Sequence, residues 1–151
     1  QLLSALREER ERLADRHGRR VPLALKIAPD LDASQVSAIA DLLVAYGIDA
    51  VIATNTTVAR DAVTHLPHGG ETGGLSGAPL TTRAQTVTRQ LAETLRGAVP
   101  IIGVGGIMNG NDAAARIGAG ASLVQLYTGL VYAGPALVAH CAGAIAGLKS
   151  C

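Results

Sequence analysis

Aromatic side chains are almost absent from this sequence, with three Tyr, no Phe and no Trp among 151 residues. The apolar volume must therefore come from Ala, Val, Leu and Ile, and the core must pack small and branched side chains. Cysteine is equally scarce. Cys141 and Cys151 come late and without metal-ligand spacing, which excludes a disulfide framework and a Cys-based metal site and fits a reduced, cytosolic-side protein. No apolar run reaches transmembrane length, and no signal peptide opens the chain. Neither sign of charge dominates: 13 basic against 12 acidic residues leave a formal net charge of +1. No basic stripe alternates with aromatics, so nucleic acid is not an expected partner. There is no opening Met; Gln1 leads straight into a helical pattern, and the chain reads as a piece of a longer protein.

What is present is globular composition, 48% hydrophobic and 17% charged, long enough for one domain with its own core. Eighteen Gly cluster after apolar runs, where the backbone can approach a ligand closely. The periodicity predicts a helix over 2–17, with Leu2, Leu3, Leu6 and Leu13 near one face and Gly18 closing it. Val21 to Pro29 is a short apolar run with the pattern of a strand buried on both faces. Asp32 or Ser34 caps a helix through about Tyr46, and Asp49 to Thr54 forms the second strand. A long Gly-rich loop follows to Pro79, then a helix from Thr81 or Thr82 stopped at Gly97 and a strand over 99–104. Asn111 or Asp112 opens a short helix ending near Gly118, Ser122 to Leu126 is the fourth strand, and a last helix runs from about Pro135 to Leu148. One helix followed by four β-α units implies an α/β fold with a parallel sheet. A doubly wound open sheet and half of an eight-fold β/α barrel both fit that rhythm.

In either architecture ligands bind at the C-terminal ends of the strands. Lys26 lies in an apolar strand, where an ammonium needs an anion; it either faces an anionic cofactor or phosphate, or reaches solvent or Asp30. Thr54-Asn55-Thr56-Thr57 supplies four hydrogen-bonding side chains after a strand, suited to the polar edges of a heterocycle or to a solvated turn. Gly103-Val104-Gly105-Gly106 and Tyr127-Thr128-Gly129 end the last two strands, where β/α barrels often hold a phosphate. Met108 stands where the third Gly of a dinucleotide fingerprint would fall. Gly73-Gly74-Leu75-Ser76-Gly77 lies in the long loop and either wraps a cofactor or forms a surface excursion. His65 and His68 are solvated loop residues with no partners at metal-ligand spacing, and His140 and Cys141 are surface or packing residues. Asp49 is at the wrong end of its strand for catalysis.

Five segments together resemble the signature stretches of dihydroorotate dehydrogenases, in family order and near family spacing. They are Leu25–Leu31, Val51–Thr57, Gly73–Gly77, Ile101–Ile107 and Gly120–Gly129. Lys-Ile-Ala-Pro-Asp together with Asn-Thr-Thr is similar to the class 2, quinone-linked branch. The resemblance covers about Pro22 to the C-terminus. It implies that residues 1–151 are the C-terminal half, strands five to eight, of a single FMN-binding (β/α)8 TIM barrel whose N-terminal half is absent. It further implies FMN contacts at Lys26, Thr54, Gly77, Gly106, Tyr127 and Thr128, and contacts to the orotate ring at Asn55 and Thr56. The implied reaction is oxidation of dihydroorotate to orotate in pyrimidine biosynthesis, with quinone as acceptor, at the cytoplasmic face of a bacterial inner membrane. The class 2 base is a serine upstream of this segment. Ser4 lies outside that motif, so no base is assigned here and the chain alone is expected to be inactive. The departures, Met108-Asn109-Gly110 and Leu130-Val131-Tyr132, touch none of the matched positions. The competing readings are a non-catalytic phosphate- or flavin-binding half-barrel and another FMN barrel oxidoreductase acting on dihydropyrimidines or dihydrouridine.

Overall fold

The computed structural model describes residues 1–148. Cys151, excluded above from any disulfide framework or metal site, lies outside them. The order is α1 (Leu2–His17), β1 (Ala24–Ile27), α2 (Ala33–Ala45), β2 (Ala50–Ala53), a 3-10 turn (Ala78–Leu80), α3 (Thr81–Leu95), β3 (Ile101–Val104), α4 (Gly110–Gly118), β4 (Leu123–Gln125), α5 (Thr128–Ala133) and α6 (Ala136–Gly147). The strands pair in parallel in sequence order, β1-β2-β3-β4. The register aligns Ile27 with Ala53, Ala53 with Gly103 and Gly103 with Val124.

Sequential order separates the two architectures. Right-handed crossovers that always step in one direction put every helix on the same side of the sheet, whereas a doubly wound sheet reverses its order part-way. Burial agrees. Ile27, Val51, Ala53, Ile101 and Gly103 face the helices and are buried. Ala24, Lys26, Leu123 and Gln125 face the other way and are exposed, with Ile52 and Ile102 half-buried between them. The β1 run is thus not buried on both faces as its composition suggested. An uninterrupted apolar pattern does not reveal that one face of this sheet is uncovered within the chain.

The main core joins Val36, Ala40 and Leu43 of α2 with Val87, Leu91 and Leu95 of α3 over Val51, Ala53 and Ile101. A smaller cluster of Ile107, Ala113, Leu137 and Cys141 holds α4 and α6 together. Asp32 caps α2 with a full capping box: its carboxylate accepts from Gln35 N at 2.9 Å and the Gln35 side chain accepts from Asp32 N at 3.0 Å. The cap of α4 is Asn109, not Asn111 or Asp112; its side chain accepts from Asp112 N. α5 was not foreseen, because six residues directly after a strand carry too little periodicity to show. No described helix is long and apolar enough to cross a membrane.

Candidate functional site

The C-terminal ends of all four strands open into one cleft of about 560 Å³. Lys26 from β1, Thr54, Asn55 and Thr56 after β2, Gly77 before the 3-10 turn, Gly106 after β3, and Tyr127 and Thr128 after β4 all line it. The eight residues to which the resemblance assigns ligand contacts therefore line one space, whereas Thr57, Gly73 and Gly74 of the same segments lie outside it. Ser76, Leu80, Val104, Gly105, Ile107, Gln125, Leu126 and Gly129 complete its walls, so polar and apolar surface both face the space.

Each wall is held by contacts that the sequence did not display. Asp30, just beyond β1, is committed to the Asn55–Thr57 segment and not to Lys26. Its carboxylate accepts from Thr57 Oγ1 and, at 2.9 Å, from Val58 N, with Arg83 at 3.5 Å. Thr57 and Leu75 exchange backbone hydrogen bonds of 3.0 and 2.8 Å, which folds the Gly-rich loop back over the segment. A Cβ on Gly74 would lie 2.1 Å from Thr56 Oγ1, so that close approach requires glycine. Thr54 is 2% exposed, donates through Oγ1 to Asn55 O at 2.9 Å, and follows a cis peptide bond from Ala53. Asn55 accepts from Thr56 N at 2.9 Å through Oδ1, which leaves its amide N–H groups as donors to the cleft.

At the far end, Thr128 Oγ1 donates to Ser76 Oγ at 2.9 Å and joins the β4 end to the long loop. Thr81 Oγ1 donates to Gly106 O at 2.6 Å. Gly106 has φ +69°, and a Cβ there would fall 2.3 Å from Thr81 N, so packing as well as ligand access demands glycine. Lys26 stands exposed on the open face of β1, and Tyr127 is 79% exposed.

The family pattern described as dihydroorotate dehydrogenase matches residues 1–148. This chain belongs to that family. The dihydroorotate dehydrogenase (quinone) of Nitrosomonas eutropha is 64% identical over 140 residues, which cover 93% of the chain and 41% of that relative. The enzyme of the same name from Burkholderia multivorans is 62% identical over 145 residues, covering 96% of the chain and 42% of the relative. The crystal structure of dihydroorotate dehydrogenase from Eimeria tenella in complex with ferulenol superposes with a TM-score of 0.81 at 38% identity. The match covers 89% of this chain and 36% of that one. The chain spans about two fifths of the length of the curated relatives it matches.

Two groups at or beneath the cleft escaped sequence reasoning. Gln125 ends β4 on the open face and lines the cleft, but one Gln in an apolar run gives little sign of which face it takes. Arg116 of α4 is 1% exposed beneath the loop that follows β3. A readable sign of it was Gly103, since a glycine inside a strand often marks the close approach of another group. A Cβ there would lie 2.4 Å from Arg116 Cγ. His65, His68 and His140 are exposed and outside the cleft, and no group of three or more potential metal ligands occurs among the described residues. Cys141 is buried at the α4–α6 contact, where burial raises its thiol above the ordinary value.

Proposed function

We propose that the whole protein oxidises dihydroorotate to orotate with FMN as cofactor and quinone as acceptor. In this reading the chain contributes strands five to eight of a (β/α)8 barrel and much of the FMN and orotate site. The observation that carries the reading is the convergence of Lys26, Thr54, Asn55, Thr56, Gly77, Gly106, Tyr127 and Thr128, from four separate strand ends, on one cleft. The names of relatives at 60–64% identity are consistent with it. Peripheral attachment at the cytoplasmic face of the membrane follows from quinone as acceptor.

The donor set suits FMN. Thr128, Ser76, Gly106 and Tyr127 form a hydroxyl- and backbone-rich end for a phosphate, and Leu80, Val104, Ile107 and Leu126 offer apolar surface for a ring. FMN, when bound, supplies the two-electron acceptor for the substrate and the relay to quinone. Lys26 lines the cleft, where its ammonium would stabilise negative charge on a reduced flavin. Asn55 and Thr56 present an amide and a hydroxyl to the substrate ring, and Asp30 keeps their segment in place through Thr57 and Val58. Substrate oxidation also releases a proton, and the base that takes it is a serine of the remaining part of the barrel.

The test is a hybrid in which this chain replaces the matching stretch of the Nitrosomonas eutropha enzyme. Purified hybrid should carry FMN, and dihydroorotate, but not dihydrouracil, should bleach its flavin absorption. Lys26→Ala should slow that bleaching about a hundredfold or more while the flavin stays bound. Bleaching by dihydrouracil would favour another flavin-barrel oxidoreductase. Flavin bound without any bleaching would favour a binding module.

A further inference from the structure

Arg116 is a full guanidinium buried where no carboxylate bonds to it. Among the described residues its partners are carbonyls alone: Nη1 donates to Val104 O at 3.2 Å, and Nη2 donates to Gly105 O at 2.9 Å and Thr81 O at 3.4 Å. Its Nε is buried without a partner. Asp112, one turn earlier on α4, has its carboxylate bonded to Met108 N instead. Burial drives the Arg116 pKa below its ordinary value, and Asp112 offsets this only in part. A buried cation with so little compensation is costly and calls for a reason.

The peptide geometry supplies one. The only cis bond among the described residues is Ala53–Thr54, so the Val104–Gly105 and Gly105–Gly106 peptides are trans. In a trans peptide the N–H points opposite to the C=O. The Val104 carbonyl accepts from Thr54 N at 2.8 Å as well as from Arg116, and the Gly105 carbonyl faces Arg116; with both carbonyls so engaged, the N–H groups of Gly105 and Gly106 point away from those donors. Both glycines line the cleft, together with Thr128 and Tyr127. Consecutive N–H groups on a turn with positive φ, here +102° and +69°, form a concavity that accepts an anion. The guanidinium beneath polarises both peptides in the same sense.

We propose that Arg116 is a positioning residue for the anionic end of the ligand: it is the buried counter-charge, relayed through two peptides, of a phosphate monoester held over Gly105 and Gly106. This rests on the functional reading above, in which the phosphate belongs to FMN. Gly103 is part of the same device, since only glycine leaves room for the Arg116 stem under the strand.

FMN and riboflavin share their ring and differ in the phosphate, so comparing them isolates the anion. Both are titrated, by flavin fluorescence, into the full chain and into the hybrid with the Nitrosomonas eutropha remainder. Arg116→Met should raise the Kd for FMN about tenfold or more and leave that for riboflavin within about threefold. Arg116→Lys, which keeps the charge but not the fork of donors, should fall between the parent and Arg116→Met. If Arg116→Met does not fold, the Arg116→Lys ratio decides. Equal weakening of both ligands, or no change in either, overturns the proposal and leaves Arg116 a packing residue. If the unsubstituted protein binds neither flavin, the functional reading fails and takes this inference with it. If it binds both equally well, this inference alone fails.

Discussion

Asp49 shows how a single carboxylate serves this fold without serving its chemistry. Near the start of β2, at the opposite end from the cleft, it accepts from Leu23 N at 2.7 Å, Arg20 Nη1 at 2.7 Å and Arg10 Nη1 at 2.9 Å. These bonds, the Leu23 N–H first and then Arg20, hold its pKa below the ordinary carboxylate value. A depressed pKa means that the stabilisation is complete above the unfolded-state value and is lost as pH falls through the folded-state value. Asp49→Asn should therefore cost about 1 kcal/mol at neutral pH, since the site is partly solvated, and the difference from the parent should shrink below about pH 4. Urea unfolding of both proteins, as the hybrid, across pH 3–7 measures this; a gap that stays constant would count against it. The place of Asp49 near the start of a strand, away from the strand ends where ligands bind, was legible in the sequence. That three donors converge on it could not be read, because Arg10, Arg20 and Leu23 come together only when α1 packs against the turn between α2 and β2.

At the scale of elements, local signals were most legible where one residue closes a short-range hydrogen bond. The cap of α2 was narrowed to Asp32 or Ser34, and the structure selects Asp32, whose box with Gln35 needs no tertiary partner to form. Asp32→Ala should lower stability by about 1 kcal/mol without altering flavin affinity, measured by thermal unfolding and FMN titration of the same sample. The α4 cap was misplaced by a few residues because Asn109, Asn111 and Asp112 all suit the role. Asp112 is instead occupied by Met108 N, and only the folded loop decides among them. In α4, Arg116 follows the same logic: helical spacing put it on a short Ala-rich helix, but the choice between its solvent and sheet faces depended on Gly103 in another strand.

For the molecule as a whole, the four strands leave two unpaired edges, β1 and β4, and an open face that carries Lys26, Leu123 and Gln125. Leu123 is 62% exposed there, and Leu2 on α1 is 71% exposed. Open parallel edges and uncovered apolar surface favour association. The 151-residue chain by itself should elute from size exclusion as oligomer or aggregate, and the hybrid as a discrete species. A compact chain that unfolds cooperatively as a monomer would refute this.

The sequence alone determined the β-α rhythm, the ends of most elements and the residue types at each strand end, because these depend on neighbours a few positions apart. It also carried the family's motifs in order, and with them the eight candidate site residues. Only the tertiary structure decided that the sheet is wound in one direction, that Lys26 lies on an open face, that Asp30 serves the Asn55–Thr57 segment, and that Arg116 lies under the Gly105–Gly106 turn. Each of these depends on which groups, tens of residues apart, satisfy one another's charge and hydrogen bonds, and periodicity along one chain carries no record of that.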